Sequence, residues 1–168
     1  MEDNTQNSSP EVKKLGDLIN DIKTAMLVTV SGGNSLHSAP LMTQEISADG
    51  SLWFIISRNS QKASDIRNEN RVNLNYASGN KFISVTGIAE LVDDRPEKVR
   101  ELWSKAYEVW FPQGPNDPNV QLLKVELEQA EYWEGHSNPV AKIINFVKLA
   151  TGSHHVKMGE HGELNLRH

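Results

Sequence analysis

Residues 52–66 have the sequence LWFIISRNSQKASDI, and the folding pattern can be worked outward from them. LWFIIS at 52–57 is apolar at successive positions, which predicts a strand buried on both faces. The polar segment that follows contains Asn59 and Ser60, either of which suits the N-cap of a short helix over residues 58–70. A buried strand that runs into a helix N-terminus brings free backbone N–H groups together at one point of the surface.

Short turns containing glycine separate further strand patterns on both sides of this stretch, which is typical of an antiparallel meander. Gly87 inside one of these strands predicts a bulge or a bend. The strands are predicted over residues 25–30, 35–42, 52–57, 71–77, 81–92, 120–127 and 130–134. Besides the helix at 58–70, helices are predicted over residues 10–24, from an Asp94 cap to about 104, and over 140–152. A mainly β fold with flanking helices removes exposed sheet edges by closing into a small barrel.

The composition indicates one cytoplasmic globular domain. The chain has 168 residues, a formal charge of −5 and no cysteine, which excludes disulfides and thiol chemistry. Its apolar runs are far shorter than the roughly 20 residues that span a membrane, and the acidic balance argues against nucleic acid as a partner. We expect a disordered arm at 1–9, a domain at 10–152 and a flexible tail at 153–168, where most of the histidines lie.

The start of the predicted helix at 58–70 carries donors that suit an anion. Ser57, Arg58, Ser60 and Lys62 supply hydroxyl and cationic groups within six positions, and phosphate is bound by such groups at helix N-termini. On spacing alone, a capped surface helix with solvated charges is the simpler explanation of the same residues. No metal-binding pattern stands out elsewhere in the chain.

An aromatic cluster lies further along the chain. It consists of Trp103, Tyr107, Trp110, Phe111, Tyr132 and Trp133. Such a cluster forms a core or a subunit interface, or it lines the binding site of a flat ligand ring. The residues alone leave these alternatives open.

Several ordered motifs resemble those of a known family. They are DGSLWF at 49–54, the Ser57 to Lys62 segment, VTGIAELVDDR at 85–95, WFPQGPNDP at 110–118 and AEYWE at 130–134. Together they resemble the general stress protein branch of the pyridoxamine 5'-phosphate oxidase-related, FMN-binding split-barrel family, over about residues 12–152. The resemblance implies a six-stranded antiparallel split β-barrel, a homodimer, and FMN sites at the dimer interface.

The resemblance also implies a set of cofactor-binding positions. Lys62 matches the family's phosphate lysine, with Ser57 and Ser60 as hydroxyl donors, and the backbone of Ile55 and Ile56 would contact the flavin. Trp110 and Phe111 would reach over the flavin from the partner subunit.

One family motif departs from its usual form in this chain. An HSRPM-like motif of the family is represented by His37, Ser38, Ala39, Pro40 and Leu41, so that Ala39 stands where an arginine is expected. The change removes a cation and a bidentate donor, so the sequence predicts weaker FMN binding unless another cation compensates. Arg58 is the candidate for that compensation.

Three functions remain open at this stage. The leading hypothesis is an FMN-binding general-stress-type protein that acts as a flavin-dependent oxidoreductase of unknown substrate. The second is a flavin carrier, buffer or sensor without turnover, and the third is a relative that has weakened, changed or lost its cofactor, heme and deazaflavin being other ligands of the fold. Pyridoxamine phosphate oxidase activity is not expected, because residues 132–152 lack an Arg/His-rich phosphate site. No catalytic side chain can be assigned.

Overall fold

The computed structural model describes residues 8–134, 140–148 and 154–158. The helices are α1 (Pro10–Ile22), α2 (Gln61–Asn68) and α3 (Pro96–Leu102), and two 3₁₀ helices follow at Lys105–Val109 and Gly114–Asn116. The strands are β1 (Thr24–Val30), β2 (Leu36–Met42), β3 (Glu45–Ile46), β4 (Leu52–Ser57), β5 (Arg71–Ser78), β6 (Lys81–Val92), β7 (Val120–Glu134), β8 (Val140–Lys148) and β9 (His154–Met158).

The strands form one curled antiparallel sheet. Its main path runs β2-β1-β5-β6-β7-β4-β3, and β8 pairs with both β7 and β9. This architecture confirms the predicted mainly β, antiparallel split-barrel class. The strands outnumber the predicted six, because β3 is a short strand beside β4 and because β8 and β9 extend the sheet.

Strand β7 is continuous, whereas the sequence predicted two strands over the same residues. Its first part pairs with β4 and its last part with β8, while β6 runs alongside both. The register shifts at Gly87, where Leu127 is paired with Gly87 and Gln129 with Thr86. The predicted bulge is therefore confirmed, and its extra residue is Glu128 on β7.

The described core has two parts that share the two faces of β4. Leu52, Phe54 and Ile56 belong to the first cluster, together with the inward residues of the other barrel strands and the apolar stripe of α1. Trp53 and Ile55 belong to a second cluster, in which α3 and the following 3₁₀ segment cover the outer surface of the sheet. Strand periodicity puts alternate residues on opposite faces, so the prediction that β4 is buried on both faces is confirmed.

The predicted helix over residues 140–152 is wrong. The structure has strand β8 at Val140–Lys148, paired with the last part of β7. The run VAKIINFVK is rich in β-branched residues. The spacing of its apolar residues is compatible with a helix or a strand. Pairing with the edge of β7 selects the strand.

Part of the predicted flexible tail also lies in the sheet. His154–Met158 forms β9, which satisfies backbone groups by pairing with β8. Residues 1–7, 149–153 and 159–168, which include the rest of the predicted arm and tail, lie outside the described residues.

The predicted N-cap is confirmed for α2 and wrong for α3. Ser60 is the N-cap of α2, as predicted. Asp94 is not the cap of α3: Arg95 holds that position without a side-chain cap bond, and Asp94 has a φ of 56°. No helix in the described part of the chain is long and apolar enough to span a membrane.

Candidate functional site

A cleft of about 530 Å³ lies between the β1–β2 hairpin and the first turns of α2. In the hairpin, Thr29 is paired with His37 and Leu27 with Ala39, and all four residues line the cleft. The complete lining is Leu27, Thr29, Leu36, His37, Ser38, Ala39, Ser60, Gln61, Lys62 and Asp65.

The first turn of α2 presents free donors on one side of this cleft. Ser60 Oγ accepts a hydrogen bond from the Ala63 N–H at 3.3 Å and donates to the Ser57 carbonyl at 2.7 Å. The cap therefore satisfies one N–H of the helix start, and the N–H groups of Gln61 and Lys62 have no intrahelical acceptor. The helix dipole adds a partial positive charge at the same place.

Lys62 is a partly buried cation in the cleft lining. Burial lowers the pKa of its ammonium group from the usual value. Its ammonium group has no carboxylate within ion-pair distance in the described ranges. A desolvated cation of this kind is stabilised by an anion that enters the cleft.

Asp65 lies at the floor of the cleft and is 1% exposed. Its carboxylate accepts hydrogen bonds from Thr29 Oγ1 at 2.8 Å, from Gln61 Nε2 at 2.8 Å and from His37 Nδ1 at 3.1 Å. Burial pushes the pKa of Asp65 upward, but the bonds from Gln61, Thr29 and His37, together with the charge of His37, outweigh burial and leave the pKa below its usual value. The carboxylate is therefore ionised at neutral pH.

His37 connects this buried carboxylate to the open part of the cleft. Its side chain is 48% exposed, and Nδ1 lies 3.1 Å from Asp65 Oδ2. A carboxylate only accepts hydrogen bonds, so Nδ1 carries the proton between them. The second ring nitrogen, Nε2, has no hydrogen-bond partner in the described ranges.

The structure brings some of the predicted site residues together in the cleft and leaves others outside it. Ser38, Ala39, Ser60 and Lys62 line the cleft. Pro40 is exposed on β2 opposite Met26.

The predicted residues on β4 lie beside the cleft. Ser57 Oγ donates to Asn119 Oδ1 at 3.2 Å. Ile55 and Ile56 are both 3% exposed, with their side chains in the two different core clusters. Their side chains are therefore not available to a ligand.

The two predicted aromatic wall residues differ in their surroundings. Trp110 is 67% exposed, whereas Phe111 is 3% exposed. The Phe111 ring packs with Trp103 and Tyr107, at centroid distances of 6.1 and 6.4 Å, in the second core cluster. Trp110 is thus presented at the surface, and Phe111 packs within its own chain.

Arg58, the candidate to compensate for Ala39, lies outside the cleft lining. Its guanidinium pairs with Asp93 at 2.9 Å and donates to the carbonyls of Pro118 and Val120, both at 3.3 Å. These contacts tie Arg58 to the loop before β7, and it does not line the cleft.

Sequence reasoning missed the network around Asp65. A usable signal was present, because Asp65 lies between the apolar positions Ala63 and Ile66 of α2, on the side of the helix that faces the sheet. A charged residue on a buried face needs partners. The partners, Thr29 and His37, belong to a hairpin that is 28 to 36 residues away in sequence.

The curled antiparallel sheet places this chain in the class of split-barrel proteins, with Lys62 and the start of α2 in one cleft. The chain matches the sequence model of the family described as Pyridoxamine 5'-phosphate oxidase like over residues 10–156. It therefore belongs to the pyridoxamine 5'-phosphate oxidase-like family, as the motifs indicated.

The chain is also similar to solved structures and to a further protein. The general stress FMN/FAD binding protein from Xanthomonas citri is 26% identical, with a TM-score of 0.65, covering 77% of this chain and 92% of that one. General Stress Protein 26 from Bacillus anthracis is 27% identical, with a TM-score of 0.61, covering 70% of this chain and 92% of that one. Protein bli-3 from Neurospora crassa is 23% identical over 145 residues, which cover 79% of this chain and 69% of that protein.

Proposed function

We propose that this chain is a flavin-binding protein of the general stress type and that its ligand is FMN. The observation that carries the proposal is the position of Lys62, a desolvated cation without an ion-pair partner in the described ranges, beside the free N–H groups of α2. The phosphate of FMN would lie there, with Lys62 as its cation. Relatives described as FMN/FAD-binding support the choice of ligand.

The residues of the cleft fit the phosphate end of such a ligand. A volume of about 530 Å³ lies within the range of small-molecule sites. Two backbone N–H groups and one ammonium group supply the donors, while the Asp65 carboxylate is already occupied by three donors of its own. The fit is reduced at Ala39, which contributes no donor side chain.

The open edge of β4 suits the flavin ring. β7 pairs with β4 along Leu52–Ser57, whereas β3 pairs with it only at Leu52 and Trp53. Beyond Trp53, this edge of β4 has no strand neighbour among the described strands. The Trp53 carbonyl accepts from Gln44 on this edge, and the Arg58 N–H donates to Asn119 on the other edge. Because backbone groups alternate between the two edges of a strand, the Ile55 backbone faces the open edge, where it is available to hydrogen-bond a heterocycle, and the Ile56 backbone faces β7. This supports the predicted backbone contact at Ile55 and does not support the one at Ile56.

We also propose that the protein is a homodimer in which Trp110 of each subunit covers the flavin of the other. Trp110 and Val109 are 67% and 80% exposed, and they are adjacent in a segment fastened to the second core cluster by Phe111. Exposed neighbouring apolar side chains of this size are typical of an interface.

Bound FMN would supply hydride and electron transfer, and the chain would bind and orient it. We propose an oxidoreductase role on this basis. The rate at which NADH or NADPH reduces the bound flavin under anaerobic conditions separates an oxidoreductase from a carrier or sensor.

The flavin proposal is tested by the visible absorption spectrum after incubation with FMN and gel filtration. Flavin bands should elute with the wild-type protein. Lys62→Ala should weaken FMN binding by about tenfold or more, since a charge-assisted contact to phosphate contributes roughly 1.5–3 kcal/mol. Lys13→Ala removes an exposed lysine of α1 and should leave binding unchanged. Absence of retained flavin at excess FMN, or equal retention by the Lys62 variant, would contradict the proposal.

A further inference from the structure

His37 occupies the same face of the hairpin as the position that lacks the arginine. His37 and Ala39 are two residues apart on β2, so their side chains lie on one side of the strand. Both line the cleft that contains Lys62. The structure therefore holds an imidazole close to the position where the sequence lost a cation.

Asp65 holds that imidazole in a defined orientation. The carboxylate is nearly fully buried and is fixed by Thr29 and Gln61 as well as by His37. Because Nδ1–H donates to Asp65, only Nε2 remains for a ligand. In neutral imidazole Nε2 accepts a hydrogen bond, and in the protonated form it donates one and the ring carries a positive charge.

The protonation of His37 changes the net charge of the cleft lining. The charged or titratable side chains there are Lys62, Asp65 and His37, and the other lining residues from β1, β2 and α2 are uncharged. The positive charge of Lys62 and the negative charge of Asp65 cancel while His37 is neutral. The lining carries one positive charge once His37 is protonated.

We propose that His37, positioned by Asp65, is the second cationic partner of the phosphate group and replaces the arginine absent at position 39. The chain then prefers FMN to riboflavin more strongly at acidic pH. This inference rests on the proposed function of the cleft. It assigns His37 as a residue that determines specificity for the phosphorylated flavin, and Asp65 as the residue that positions it.

The test measures dissociation constants of FMN and of riboflavin at pH 5.5 and pH 8 by flavin fluorescence. The readout is the preference for FMN, expressed as the ratio of the riboflavin constant to the FMN constant. In the wild type this ratio should be roughly tenfold greater at pH 5.5, as expected of one charge-assisted hydrogen bond. The phosphate of FMN gains its own proton near pH 6. This protonation lowers the preference for FMN at acidic pH, and it occurs with every variant.

Variants separate the contribution of His37 from that of the phosphate. In His37→Gln the ratio should not rise on acidification. In Lys62→Ala the FMN affinity should fall at both pH values while the acid-dependent increase remains. Asp65→Asn should reduce the acid-dependent increase of the preference ratio, a change in pH profile that a purely structural role would not produce. Circular dichroism at both pH values checks that each variant is folded.

The outcomes distinguish the two proposals. If the wild type binds FMN with the same pH dependence as His37→Gln, the role of His37 is refuted and the flavin site stands. If the wild type binds no FMN at either pH, both are refuted.

Discussion

At the scale of single residues, the Asp65 carboxylate links stability to pH. Its pKa in the folded protein is below the usual value, so its stabilising contribution is complete above the pKa of about 3.9 of an unfolded aspartate and is lost as the pH falls through the lower folded value. Asp65→Asn should therefore destabilise the protein by about 1–3 kcal/mol at pH 7, and the difference from wild type should shrink at pH 3. Urea unfolding at a fixed protein concentration measures both values.

Asp17→Asn is the control for this experiment. Asp17 is exposed on α1, and its replacement should alter the free energy of unfolding by less than about 0.5 kcal/mol at either pH. If Asp65→Asn is as stable as wild type at pH 7, the network of Thr29, His37 and Gln61 does not stabilise the fold as argued.

At the scale of elements, the contact between β6 and β7 depends on a glycine. A Cβ atom at Gly87 would lie near the Glu126 carbonyl oxygen and 2.9 Å from Val125 Cγ1. The neighbouring atoms are backbone and a buried side chain, which cannot move away easily. Gly87→Ala should therefore destabilise the protein by about 1–3 kcal/mol, measured as the shift in the urea midpoint.

Gly32→Ala provides the matched comparison. A Cβ at Gly32, in the turn between β1 and β2, would meet nothing within 4 Å. Its effect on the urea midpoint should be small, and equal effects of the two substitutions would show that the bulge tolerates a side chain.

At the scale of the whole molecule, the exposed Trp110 should control assembly. Truncating a large aromatic residue at an interface commonly costs 2 kcal/mol or more, so Trp110→Ala should raise the dimer dissociation constant at least about tenfold. Sedimentation velocity over a range of concentrations measures this constant. Lys105→Ala changes an exposed residue of the same segment and should leave it unaltered. A wild-type protein that is monomeric at all concentrations would refute the dimer and its shared flavin sites.

Much of the candidate site was predictable from the sequence because its parts are close together along the chain. Strand β4, the cap at Ser60 and the cation at Lys62 lie within eleven residues, and buried strands, caps and helix starts have local signatures. The network of Asp65 was not predictable in this way, because it joins α2 to a distant hairpin. The packing of Phe111 inside its own chain and the ion pair of Arg58 also depend on neighbours that no local pattern specifies.

The sequence by itself determined the antiparallel mainly β fold, the family, most element positions and the bulge at Gly87, since local periodicity, turn residues and ordered motifs carry this information. Only the tertiary structure decided that residues 140–148 form a strand and that His37 meets Asp65. The physical reason is the same in both cases. A run of apolar residues takes its conformation from the strand edge with which it pairs. A buried charge is stabilised by the hydrogen-bond donors that surround it. The strand edge and the donors are supplied by parts of the chain that are distant in sequence.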